Sequence, residues 1–180
     1  MGVPAKQSGR SIQADAQQEQ PPAVVILCDI SGSMRGEPIM RLRQHLQSIW
    51  PELEPISKLV AFSDGVEVVE SPRHLPNPHG GTNLAGALES LVSYMVPRVI
   101  MISDGFPDDQ ERALQVAARL PGTIDAIYVG PDGNQRAYEF MQKLASQNGG
   151  TACWQDLHTS QALLAPTIRG LLGLPAPIAL

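Results

Sequence analysis

Apolar residues along this chain follow two alternating rhythms. Short continuous runs rich in β-branched residues occur at 24–28 (Val-Val-Ile-Leu-Cys), 59–62, 99–102 (Val-Ile-Met-Ile) and 124–129. Runs of this length, bounded by turn formers, predict strands buried on both faces, as in the middle of a parallel sheet. Between them the apolar positions fall three and four apart: Ile39, Leu42, Leu46 and Ile49; then Leu84, Leu88, Leu91 and Met95; then Leu114, Ala117 and Leu120. That spacing predicts amphipathic helices.

Punctuation sets the boundaries. Strands are expected over residues 23–28, 57–62, 98–103, 123–129 and 151–154. The tight turn Ser63-Asp64-Gly65 adds a short antiparallel partner over 66–69. Glu37-Pro38 opens the first helix, with proline where its missing N–H costs nothing, and the helix runs through Trp50 before Pro51 and Pro55 mark a connection. Thr82-Asn83 caps the second, Pro107-Asp108-Asp109 starts the third, and Asn148-Gly149-Gly150 closes a fourth over 135–146. A fifth is expected from Thr159 or Ser160, kinked or divided at Pro166. Strands alternating with helices predict an α/β fold. It is a doubly wound, Rossmann-like, mostly parallel sheet of order 3-2-1-4-5-6, with helices on both faces and one short antiparallel edge.

Residues 1–20 are polar and Gln-rich and read as a disordered arm; 21–174 form the domain and 175–180 a tail. A chain of 180 residues can bury a core without staples. The net charge of −5 argues against a nucleic-acid partner. The chain shows no membrane-length apolar run and no secretory h-region. It is therefore expected in the cytoplasm, away from membranes, and monomeric on its own. Cys28 and Cys153 lack metal or redox spacing. The strand order places them about 14 Å apart, too far to bridge.

The chemistry gathers where the first strand ends, at Asp29-Ile30-Ser31-Gly32-Ser33. In the expected order the first and fourth strands are neighbours, so Asp29 and Asp104 meet at the crevice where their following helices diverge. Thr82, in Gly80-Gly81-Thr82-Asn83, lies in the loop above it. Five oxygen-bearing side chains thus face one point: Asp29, Ser31, Ser33, Thr82 and Asp104. Such a set suits a hard cation, Mg²⁺ first, with Mn²⁺ or Ca²⁺ as substitutes. Sequence adjacency puts Arg35, Glu37, His79, Asn83, Phe106 and Asp108 on the rim.

These residues resemble the metal-ion-dependent adhesion site (MIDAS) of von Willebrand factor A (VWA) domains. That motif is Asp-x-Ser-x-Ser, a distant Thr and a distant Asp-Gly, matched here by Asp29 to Ser33, Thr82 and Asp104-Gly105. The resemblance implies that Ser31, Ser33 and Thr82 bind the metal directly, that Asp29 and Asp104 act through water, and that an Asp or Glu of a partner protein completes the shell. It implies a non-enzymatic interaction module. The stretch Met34-Arg35-Gly36-Glu37-Pro38-Ile39 is similar to the small intracellular bacterial branch, including tellurite-resistance-associated proteins. Those relatives work in complexes with ATPases, kinases, phosphatases or stress-response components. The rival reading is a Mg²⁺-dependent phosphatase of the haloacid-dehalogenase type. It needs a second Asp as general acid two residues after Asp29, where this chain has Ser31. A nucleotide-binding reading lacks any glycine-rich phosphate motif.

Overall fold

A computed structural model of the protein describes residues 21–176. The expected arm over 1–20 and residues 177–180 of the tail lie outside the described residues. Six strands form one sheet: β1 (Val24–Asp29), β2 (Ser57–Phe62), β3 (Val66–Val69), β4 (Arg98–Ser103), β5 (Thr123–Tyr128) and β6 (Ala152–Trp154). Their order is β3-β2-β1-β4-β5-β6, parallel except for β3. Fold class, strand order and the antiparallel edge are as expected from the sequence.

Alternation along each strand divides the core into two layers. Val24, Ile26 and Cys28 of β1, with Ile100 and Ile102 of β4, face α1 (Glu37–Leu53) and α5 (Leu164–Leu172). Val25 and Leu27, with Val99 and Met101, face α2 (Leu84–Val92), α3 (Gln110–Ala117) and α4 (Gln135–Gln147). On α1 the stripe Leu42, Leu46, Ile49 and Leu53 is fully buried, each side chain contributing about 1.5–3 kcal/mol. The helix after β1 therefore leaves on one face and the helix after β4 on the other, and the crevice between the two neighbouring strands opens at their carboxyl ends.

Three expectations are corrected. Pro51 does not end the first helix, which continues to Leu53; a proline in the last turn breaks little of the hydrogen-bond ladder. The last helix starts at Leu164, so Pro166 falls in its first turn, where no N–H is needed. Met95 lies beyond the end of α2 at Val92, with φ of 50° and 66% exposure, and takes no part in the apolar stripe.

Both cysteines are free. Register explains it: Cys28 pairs with Ile102, Ile102 with Ile127 and Ile127 with Cys153, three strand spacings in line. Among the described residues no helix is long and apolar enough to cross a membrane.

Candidate metal centre

Asp29 closes β1 on the face of Val25 and Leu27 and is fully buried. One carboxylate oxygen accepts the Ser31 N–H at 2.7 Å, and the other accepts the Ser103 hydroxyl at 2.6 Å. After Ser31 a single 3-10 turn, Gly32–Met34, swings Ser33 back over the strand end. The Ser33 hydroxyl donates to Asp104 Oδ1 at 2.7 Å and lies 3.1 Å from the Ser31 hydroxyl. Since the one Ser33 proton is committed to Asp104, Ser31 is the donor within the pair. Four of the five expected side chains are thus joined in a hydrogen-bonded cluster.

Thr82 is held beside the cluster through its backbone. Its N–H donates to both Asp108 carboxylate oxygens at 3.1 and 3.2 Å, and its carbonyl accepts the Asp108 N–H at 2.9 Å. Among the described residues the Thr82 hydroxyl makes no hydrogen bond with the other four side chains. The loop carrying it is tied to β1: Gly32 N–H donates to the Gly80 carbonyl at 3.1 Å, and His79 N–H to the Ile30 carbonyl at 2.9 Å. Gly80 has φ of 68° and lies against the Asp64 carboxylate, so a side chain there is strained by conformation and has to displace that carboxylate.

Electrostatics mark the cluster as short of positive charge. Burial pushes the Asp29 carboxyl up to about 6, against opposing hydrogen bonds from Ser103 and Ser31, and the Asp104 charge adds to the rise. Asp104 is raised too, again by burial, with the Ser33 bond and His158 pulling the other way. Among the described residues no lysine or arginine is bonded to either carboxylate. This donor set fits a divalent cation. The 3.1 Å between the serine hydroxyls matches the edge of about 2.9 Å between adjacent ligands of a six-coordinate Mg²⁺ with bonds of 2.0–2.1 Å. No group of three His, Cys, Asp or Glu side chains gathers among the described residues, so softer transition-metal sites are not formed.

The expected rim residues divide by what they touch. Asp108 clamps Thr82, and Asn83 caps α2 by accepting the Gly86 N–H at 3.0 Å. Glu37 pairs with Arg41 at 2.9 Å, and Arg35 reaches the Pro78 carbonyl. His79 is exposed; its Nε2 meets the Ser63 hydroxyl at 3.2 Å and its Nδ1 the Asn77 carbonyl at 2.9 Å. Phe106 is half-buried against the α2–α4 layer. Sequence reasoning gave no role to Ser103, which orients Asp29. Its role comes from register: the parallel pairing of Cys28 with Ile102 sets Asp29 beside Ser103. Gly130 also escaped notice. It packs against the Tyr128 hydroxyl and the Asp104 carbonyl, where a Cβ does not fit.

No family model matches the chain. Among curated proteins it is similar to inter-alpha-trypsin inhibitor heavy chain H4 of Sus scrofa, 27% identical over 164 residues. The match covers 73% of this chain but only 18% of that protein. Among solved structures it is similar to the vWF domain of the type V pili tip protein Mfa5 from Porphyromonas gingivalis. The TM-score is 0.58 at 12% identity, covering 87% of this chain and 97% of that one. A longer structure of three N-terminal domains of the same pilus protein gives a TM-score of 0.52 at 14% identity, with 72% and 46% coverage. At these identities the likeness shows a shared fold, that of the VWA type.

Proposed function

We propose that this protein is a non-enzymatic, divalent-cation-dependent interaction module. In this reading Mg²⁺, or Mn²⁺ or Ca²⁺ in its place, is held directly by Ser31, Ser33 and Thr82. Asp29 and Asp104 hold it through water. An Asp or Glu from a partner protein fills the remaining position, with Arg35, Glu37, His79, Asn83, Phe106 and Asp108 around it. The observation that carries it is the pair of buried carboxylates, Asp29 and Asp104, joined to two hydroxyls with no lysine or arginine of the described residues bonded to them. Neutral hydroxyl ligands leave the ion electron-poor, so it favours a carboxylate from outside. The ion supplies that electrophilic contact. The chain's own residues position it: Ser103 and the Ser31 N–H fix Asp29, and Asp108 fixes Thr82.

A bacterial, cytoplasmic complex, of the tellurite-resistance-associated kind or with an ATPase, kinase or phosphatase, rests on the Met34 to Ile39 stretch alone.

The test is thermal melting of wild type and Ser31→Ala/Ser33→Ala with EDTA or saturating Mg²⁺, alongside partner capture from the native cell under both conditions. Wild type gains about 2.7 kcal/mol at a hundredfold excess over the dissociation constant, and captures its partner only with metal. The double variant does neither. Unchanged Mg²⁺ stabilisation in the variant, or capture indifferent to EDTA, defeats the reading.

A further inference from the structure

The carboxyl end of the sheet carries a second recess that the metal centre does not use. It is a cavity of about 480 Å³, and its walls include Tyr128, Tyr138, Trp154, Asp132 and Glu139. Three aromatic rings and two carboxylates line it, and among the described residues no cationic side chain does. Arg136 stands at its lip, lining an adjoining recess that shares Asn134, Gln135 and Glu139, and Lys143 lies in the groove beside Phe106; among the described residues neither forms an ion pair with Asp132 or Glu139.

The rings are held in place. The Trp154 indole N–H donates to the Gly130 carbonyl at 3.0 Å, and the Tyr128 hydroxyl to the Pro131 carbonyl at 3.2 Å. The Tyr128 and Tyr138 rings lie 6.1 Å apart, tilted by 44°. Trp154 therefore holds a fixed ring 41% open to solvent, at the end of a strand of three residues. Asp132 makes no hydrogen bond or ion pair with the described residues. Glu139 receives only Gln135 Nε2, at 2.8 Å. Burial raises the Tyr128 hydroxyl, and the Asp104 and Asp156 charges raise it further, so the surroundings are anionic. The N-terminus of α4 opposes a cation here. Its partial charge of about half a unit is outweighed by two full carboxylates, and Asn134 already accepts its Ala137 N–H.

We propose that this cavity receives an arginine side chain of the partner protein. A guanidinium stacks on aromatic faces and forks onto carboxylates, and its weak hydration lets it leave water more easily than an ammonium. Gly130 links the two sites, since its carbonyl holds Trp154 while its backbone lies against the Asp104 carbonyl. The pocket's choice of a guanidinium stands on its own geometry; that the arginine belongs to the metal-bound partner rests on the proposed function.

The test begins in EDTA, which removes the metal from the question. Isotope-labelled protein is titrated with Nα-acetyl-arginine methylamide and, separately, with the neutral isostere Nα-acetyl-citrulline methylamide, following the two indole N–H resonances. The arginine probe is expected to move the Trp154 signal saturably and leave Trp50, in the opposite core layer, unmoved. Binding weakens about fivefold with citrulline, and by the same factor in Asp132→Asn/Glu139→Gln. No saturable shift up to about 50 mM, or equal shifts from both probes, overturns the pocket. In Mg²⁺, Asp132→Asn/Glu139→Gln is expected to keep its metal stabilisation yet capture the partner about fivefold less well. Undiminished capture overturns the link to the partner. Loss of metal stabilisation in Ser31→Ala/Ser33→Ala is a separate readout that tests the metal centre alone.

Discussion

Replacing Asp29 with asparagine is expected to stabilise the metal-free protein at neutral pH, although it removes a residue of the candidate centre. Asp29 is fully buried, and its carboxyl sits at about 6 against an ordinary 3.8. That difference is worth about 3 kcal/mol. Between pH 3.8 and about 6 the folded chain holds more proton than the unfolded one. Stability is therefore greatest below that window and falls as pH rises through it. Asparagine carries no charge, and its contacts survive: Oδ1 still accepts the Ser31 N–H, and the Ser103 hydroxyl can rotate to accept from the new amide. In EDTA at pH 7.5, Asp29→Asn should exceed wild type by up to about 3 kcal/mol, or roughly 6–12 °C in Tm for a chain of this size. At pH 4 the difference should shrink toward zero. Saturating Mg²⁺ should reverse the order, because only wild type gains from the ion. Urea unfolding at both pH values, with EDTA or Mg²⁺, reads all these outcomes. If Asp29→Asn is less stable than wild type in EDTA at pH 7.5, the picture of an uncompensated buried charge is wrong.

Away from the centre, Arg98→Ala strips the partner from Asp125, which is 1% exposed and held by the guanidinium at 2.7 Å. A loss of about 3–5 kcal/mol in urea unfolding is expected, and a loss below about 1 kcal/mol would show that the remaining Thr151 N–H bond suffices. Gly130→Ala forces a methyl against the Tyr128 hydroxyl and the Asp104 carbonyl; it should cost about 1–3 kcal/mol and weaken Mg²⁺ stabilisation, and a neutral effect on both would refute the close approach. Burial drives the Cys28 thiol well above its ordinary range, with Cys153 raised less. Native protein at pH 8 should thus leave Cys28 unmodified by a thiol reagent, with both thiols titrating after denaturation. A non-reducing mass spectrum showing an intrachain bridge would contradict the strand register.

The sheet was legible in the sequence because strands buried on both faces leave apolar runs, and because right-handed crossovers allow few orders for them. Asp29, Ser31, Ser33 and Asp104 were legible as a meeting point for the same reason: once two strands are neighbours, the residues at their ends are too. Prolines misled wherever position within a helix mattered more than presence. Pro51 in a last turn and Pro166 in a first turn both sit where the helix does not need their N–H.

The chain alone determined which residues carry oxygen and which strands end beside each other. Only the tertiary structure decided how those oxygens are held. Ser103 gained its role from lateral register, Thr82 from a carboxylate 26 positions away, and Gly130 from a close approach no local pattern encodes. The aromatic recess is of the same kind. Tyr128, Tyr138 and Trp154 are scattered through three elements, and nothing in their spacing brings them together. Sequence periodicity reports burial against an element's own face; contacts between loops at the end of a sheet depend on where those elements finally pack.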